Sequence, residues 1–148
     1  MNFKLKIIPP TATAQQKGEC IRAGYIHHYK KKNVARAESI LRDALLPYVP
    51  EVPITDKPIR FHVLWEFPYP KSAKKHTPGF CRNKITRPDT DNLNKMLKDV
   101  MTDMGFWKDD ALICLEGIWK VWSDEPGITI VIEELEMDIQ DDRSETVC

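Results

Sequence analysis

The stretch from Arg87 to Asp110 concentrates carboxylates in a pattern that has a chemical use. It opens Arg-Pro-Asp-Thr-Asp-Asn-Leu-Asn-Lys and closes Trp-Lys-Asp-Asp. Asp89 and Asp91 stand two apart at its start, and Asp109 and Asp110 stand side by side at its end. Carboxylates that converge repel one another unless a cation or shared protons compensate. An all-oxygen donor set suits a hard divalent cation, Mg²⁺ first, which takes one or two carboxylates and fills the rest of its shell with water and phosphate. Such an ion neutralises a phosphodiester, activates a water and stabilises a leaving oxyanion. A divalent cation held by carboxylates and acting on a phosphate group is therefore the chemistry these residues can carry.

Positioning falls to a helix. Leu93, Met96, Leu97, Val100, Met101 and Met104 follow the i, i+3, i+4, i+7 spacing of an amphipathic helix, and Gly105 ends it as a left-handed cap. Pro88 disfavours helix at Arg87, so the helix should begin within Asp89, Thr90 and Asp91, all good capping or first-turn residues. Asp91, Lys95, Lys98, Asp99 and Thr102 then lie opposite the apolar stripe. A plainer reading makes the acids caps and the Asp–Lys spacings surface pairs of ~0.2–0.5 kcal/mol each. Against it stands the double Asp directly before an apolar run, Ala111 to Trp122, which reads as a strand. A helix start and a strand start can bring two pairs of acids to one place.

The set Arg87, Pro88, Asp89, Asp91, Asn92, Leu93, Lys95, Asp99, Gly105, Phe106, Trp107, Asp109 and Asp110 resembles the signature of the RusA family of Holliday junction resolvases of bacteria and their phages. The resemblance is dense over about two dozen residues; elsewhere only the order of elements is compatible. It implies a Mg²⁺-dependent endonuclease, with Mn²⁺ able to substitute, that resolves four-way DNA junctions in recombination, repair or phage DNA processing. It also implies a homodimer whose two sites nick opposing strands symmetrically. Carried over residue by residue, Asp89, Asp91 and Asp110 become metal ligands and catalytic residues, Asp109 a fourth acid at the metal, as ligand or as positioner of a bound water, and Lys95 a catalytic residue that contacts the scissile phosphate or the transition-state charge. Asp99 is left outside the catalytic set, as an outer acid or a partner of Lys95. Phe106 and Trp107 are expected in the core, closing the apolar end of the helix.

The remaining chain suits a single α+β domain over residues 1–135, with a mixed sheet of about four strands and two main helices, and an acidic tail over 136–148. Met1 to Pro10 alternates Phe3, Leu5 and Ile7 with lysines as a half-wet strand does. Asn33 to Leu46 reads as a helix capped by Asn33, with Val34, Ala37, Ile40, Leu41, Ala44 and Leu45 on one face. Ile59 to Phe67 is expected as a strand, and Ala111–Trp122 and Ile128–Leu135 as a hairpin turning at Pro126 and Gly127. The apolar residues Ile113, Leu115, Ile118, Trp119, Val121, Ile130 and Ile132 suit an interface as well as a core. Cysteines 20, 81, 114 and 148 lack zinc-ligand spacing, and with no signal peptide or membrane span they point to a cytoplasmic protein.

Charge is distributed unevenly although it sums to zero. Residues 1–86 carry 16 Lys and Arg against 6 Asp and Glu, whereas residues 133–148 carry 1 against 7. A basic cradle around an acidic centre suits nucleic acid. Lys30, Lys31 and Lys32, interleaved with Tyr25, His27, His28 and Tyr29, are expected to contact DNA, as are Lys71, Lys74, Lys75, Arg82, Lys84 and Arg87 around a long loop that leads into Asp89. Two other readings compete: a branched-DNA-binding protein whose acids are only caps, and a Mg²⁺-nucleotide transferase, which has no Gly-rich phosphate loop to support it.

Overall fold

A computed structural model describes residues 1–13, 17–73 and 78–138. Strand β1 (Asn2–Leu5) is followed by β2 (Lys17–Arg22) and β3 (Tyr25–Lys30), helix α1 (Lys32–Leu45), a 3₁₀ turn (Leu46–Tyr48) and β4 (Ile59–Pro68). Then come β5 (Arg82–Asn83), helix α2 (Thr90–Met104), a second 3₁₀ turn (Asp110–Leu112), β6 (Ile113–Ser123) and β7 (Gly127–Glu134). The architecture is α+β, as expected. The mixed sheet has five strands rather than four, ordered β1-β7-β4-β6-β5, and β2 with β3 makes a separate two-stranded sheet.

Strand β4 is the centre because its alternation is the strongest. Phe61, Val63, Trp65 and Phe67 project to one side and are buried, and both backbone edges of the strand are paired. It runs antiparallel to β7 and parallel to β6. This corrects the expected β6–β7 hairpin, because β4 lies between those two strands. The Ser123–Gly127 connection spans the end of β4, placing Ser123 beside Pro68 and Gly127 beside Glu66. Glycine is required at 127: a Cβ there would meet the Lys4 side chain at 2.5 Å and the Leu5 carbonyl at 2.9 Å.

The buried face of the sheet takes both helices. Val34, Ala37, Leu41 and Leu45 of α1 and Leu93, Met96, Leu97, Val100 and Met101 of α2 join the β4 row and Ile128, Ile130 and Ile132 of β7 in one core. Each such side chain contributes ~1.5–3 kcal/mol relative to exposure. Asn33 is not the cap expected of it: α1 begins at Lys32 with Lys31 as its N-cap, two residues earlier, and no side-chain cap bond. The Lys31 carbonyl accepts from the Val34 and Ala35 amides, so the backbone itself begins the helix directly after β3. The apolar residues offered equally to core or interface divide: Val121, Ile130 and Ile132 are buried, while Leu115 and Trp119 remain exposed. No helix among the described residues is long and apolar enough to cross a membrane. The tail beyond residue 138 lies outside the described residues.

Candidate active site

Helix α2 begins where its sequence dictates, with Asp89 at the N-cap and Asp91 in the first turn, and ends at Gly105 with φ +86°. The Asp89 carboxylate makes no capping hydrogen bond. It and Asp91 are exposed. Asp89 therefore does not act as a hydrogen-bonding side-chain cap, and its carboxylate interacts with the helix only through the dipole.

The rotation of α2 about its axis is set by one polar residue in its apolar face. Asn94 is 1 % exposed. Its Oδ1 accepts from Trp65 Nε1 at 3.2 Å, and its Nδ2 donates to Glu116 Oε1. Lys98 Nζ donates to the other Glu116 oxygen at 3.1 Å. A buried amide bonded on both sides fixes one arrangement, because any slip would leave buried polar atoms unpaired. The face opposite then carries Asp91, Lys95 and Asp99 outward.

The segment that delivers Asp89 is held from below by two lysines. Lys84 is buried, with its ammonium over the Trp122 ring at 4.3 Å and the Phe67 ring at 5.3 Å. It donates to the Thr86 carbonyl at 3.1 Å, the Thr86 hydroxyl and the Arg87 carbonyl at 2.6 Å. Lys120 Nζ donates to the Thr86 and Pro88 carbonyls, each at 2.6 Å. Burial lowers the Lys84 pKa below the usual lysine value, and repulsion from Lys120 adds to the shift. Lys84 was expected on the DNA surface; it is instead an internal peg, because the aromatic pocket and three oxygens outbid water for its ammonium. The Arg87–Pro88 peptide is cis.

At the far end of α2, Phe106 and Trp107 are each 1 % exposed, as the sequence reading required. Trp107 Nε1 donates to Thr102 Oγ1 at 2.7 Å, and the ring packs edge-on to Phe61 at 5.4 Å. Backbone bonds from the Ile54 amide to the Phe106 carbonyl and from the Lys108 amide to the Ile54 carbonyl anchor the run into Asp109 and Asp110. Asp109 caps the 3₁₀ turn, its Oδ1 accepting from the Ala111 amide at 2.8 Å. One of its oxygens is thus committed to the backbone, whereas Asp110 is exposed at the start of the turn.

Asp99 is the acid that sequence reasoning set aside. Partial burial pushes its carboxyl above the usual aspartate range; Lys95 opposes the shift, and the negative charges of Asp110, Asp103 and Glu38 add to it. The negative charge of Asp110 thus reaches Asp99 from the 3₁₀ turn. The i, i+4, i+8 spacing of Asp91, Lys95 and Asp99 was the available signal. Among the described residues Lys95 has no close ion pair to Asp91 or Asp99, and the lysine that does pair is Lys98, with Glu116.

Among the described residues no three His, Cys, Asp or Glu side chains converge as a ready-made metal cage. Asp89 and Asp91 stand at the N-terminus of α2, Asp99 lies two turns along it, and Asp110 begins the 3₁₀ turn that follows. Of the expected DNA contacts, Lys31, Lys32, Lys71, Arg82 and Arg87 are exposed. Lys74, Lys75 and the side chain of Lys30 lie outside the described residues.

Comparison with known proteins follows the same line. The family profile described as Endodeoxyribonuclease RusA matches residues 8–133, a span that includes every acid discussed above. The uncharacterized protein YqaN of Bacillus subtilis (strain 168) is 31% identical over 140 residues, covering 85% of this chain and 91% of that protein.

Proposed function

This chain belongs to the RusA endodeoxyribonuclease family, and from that premise we propose that it is a Mg²⁺-dependent endonuclease that resolves four-way DNA junctions by symmetric phosphodiester hydrolysis. The observation that carries the reading is the placement of Asp89, exposed and with no capping hydrogen bond, and of exposed Asp91 on a helix start pinned from below by Lys84 and Lys120. Rigid support beneath open carboxylates is what a site needs when its ligand arrives with the substrate.

The donor set fits Mg²⁺, with Mn²⁺ as a substitute. All candidate ligands are carboxylate oxygens, the donor type that a hard divalent cation takes alongside water and phosphate. Asp89, Asp91 and Asp110 would hold it, with the unbonded Asp109 oxygen as an outer contact. When bound, the ion supplies charge neutralisation at the scissile phosphate and a more acidic water. Lys95, exposed one turn beyond Asp91 on α2, would offer its ammonium to the phosphate and to the charge that grows on it. Arg87, Arg82, Lys71, Lys31 and Lys32 hold backbone phosphates, which contributes affinity without sequence information.

Two such sites must act together for symmetric resolution, so the protein works as a homodimer. Leu115 and Trp119, 42% and 53% exposed on one sheet face, offer apolar surface for the contact. The free thiols of Cys20, Cys81 and Cys114 agree with a reducing, cytoplasmic setting. Mapping the nicks on a four-way junction labelled on each strand in turn tests the proposal, alongside sedimentation of the protein with and without junction. Paired nicks at symmetry-related positions by a dimer support it. Equal cutting of linear duplex, or a monomer on the junction, removes the junction-specific part and leaves a general nuclease.

A further inference from the structure

The β2–β3 hairpin stands apart from the core. Residues 21–29 are all exposed, so neither face of the hairpin tip packs on the domain. The strands are joined by Ala23 and Gly24, both at positive φ, in the two-residue turn that suits strand twist. A two-stranded ribbon alone is marginal in water, and this one leaves Ile21, Tyr25, Ile26 and Tyr29 each more than half exposed. Such a surface asks for a ligand.

The register shows which ligand. Gly18 pairs with Tyr29, Cys20 with His27 and Arg22 with Tyr25. Alternation therefore puts Tyr25, His27 and Tyr29 in one row, with Arg22 beside Tyr25 at the tip. Tyr29 lies across Gly18, where any Cβ would collide with its ring. A concavity of about 540 Å³ is lined by Cys20, Arg22, His27 and Tyr29 of this face together with His28. Successive side chains on one face of a strand leave the backbone ~6.8 Å apart. That is twice the rise of ~3.4 Å between stacked nucleotides of one strand. The surrounding charge is complementary to phosphate, with Arg22, Lys31 and Lys32 against the lone acid Glu19, itself paired with His28 at 3.2 Å.

We propose that this face is a stacking platform for unpaired bases of DNA, and that it engages the strands where base stacking is interrupted at a branch point. The inference rests on the reading of the chain as a branched-DNA nuclease and adds to it the element that tells a branch from plain duplex. The basic residues bind any phosphate backbone; the ring row binds only bases that have left the stack.

The test measures binding of the full chain, in EDTA to prevent cutting, to oligo-dT, a four-way junction and a linear duplex. Tyr25→Ala/Tyr29→Ala should weaken binding to oligo-dT and junction by ~10–100-fold, from the loss of base–aromatic stacking. Duplex affinity and salt dependence should stay unchanged. Tyr25→Phe/Tyr29→Phe, which keeps the rings, should behave as wild type, and 2-aminopurine placed at the branch should change fluorescence with wild type but not with the alanine pair. Both residues are exposed, and matched thermal melts exclude unfolding as the cause. Undiminished binding of oligo-dT and junction by the alanine pair overturns the proposal, as does a shift in the monomer–dimer equilibrium with DNA binding intact, which assigns the face to a second copy. Tyrosine-dependent binding by a protein that leaves every branched substrate uncut upholds this inference and removes the nuclease reading. Unimpaired binding and cutting by the alanine pair does the reverse.

Discussion

Asn94→Leu tests how the site is held, because the residue touches no candidate ligand. Leucine preserves the approximate volume but removes both of the amide's bonds. Trp65 Nε1, inside the core, loses its acceptor, and a buried donor left unpaired costs ~1–3 kcal/mol. The bond to the Glu116 carboxylate is also lost, worth ~1.5–3 kcal/mol for a charged partner, although Lys98 still satisfies the other oxygen. Burying an aliphatic side chain in place of the amide returns part of this, which leaves a net loss of about 2–4 kcal/mol. For a chain of this length each kcal/mol shifts Tm by roughly 2–4 °C. Urea melts of Asn94→Leu, Trp65→Phe and the double variant provide the assay. Trp65→Phe removes the orphaned donor, so the double variant should be less unstable than the sum by ~1–2 kcal/mol. Additive behaviour within ~0.5 kcal/mol would refute the account of Asn94 as the pin that sets the rotation of α2.

Three further outcomes follow from neighbouring contacts. Lys84→Met keeps the stem over Trp122 but releases the Thr86 and Arg87 carbonyls, so it should cost ~1–3 kcal/mol in urea melts and slow DNA cutting more than it weakens DNA binding. Gly105→Ala meets nothing closer than Pro53 at 3.7 Å, so only the positive φ is penalised, by ~1–2 kcal/mol; a neutral substitution would show that the helix end adjusts freely. The Asp99 carboxyl is raised above the ordinary aspartate value, chiefly by desolvation, so the folded state holds its proton longer than the unfolded state and loses stability as pH rises from the ordinary value through the raised one. Asp99→Asn should therefore raise Tm at neutral pH in metal-free buffer, with the advantage gone below the unfolded value; a melt difference independent of pH contradicts the burial argument.

The legible and illegible parts of the fold have different physical causes. Helix α2 and its cap could be read because a regular apolar stripe and a glycine beyond it encode both ends locally. Asn94 escaped because it sits inside that stripe, and its partners Trp65 and Glu116 come from strands distant in sequence. Strands β4, β6 and β7 were found near their bounds, but alternation names the buried face of a strand and says nothing about its neighbours, so β4 was not seen between the other two. The β2–β3 hairpin left no pattern of burial to read, since both its faces are wet at the tip. Lys84 was misplaced because lysine is ordinarily a surface residue, and nothing local reveals that Trp122 and Phe67 will close over its stem. Within the site, the acids were visible by type and spacing, while the lysine clamp beneath them and the coupling of Asp99 to Asp110 belong to tertiary contacts alone.

Single-turnover cutting of a labelled four-way junction by wild type and Asp91→Asn, in Mg²⁺ and in EDTA, bears most directly on the central claim. The account predicts junction cleavage by wild type in Mg²⁺, none in EDTA, and a loss of rate in the variant of at least ~10²-fold while junction binding is retained. Cleavage by Asp91→Asn at the wild-type rate, or a wild type that binds the junction and leaves it whole with every divalent cation, would contradict it and make the acids of α2 structural.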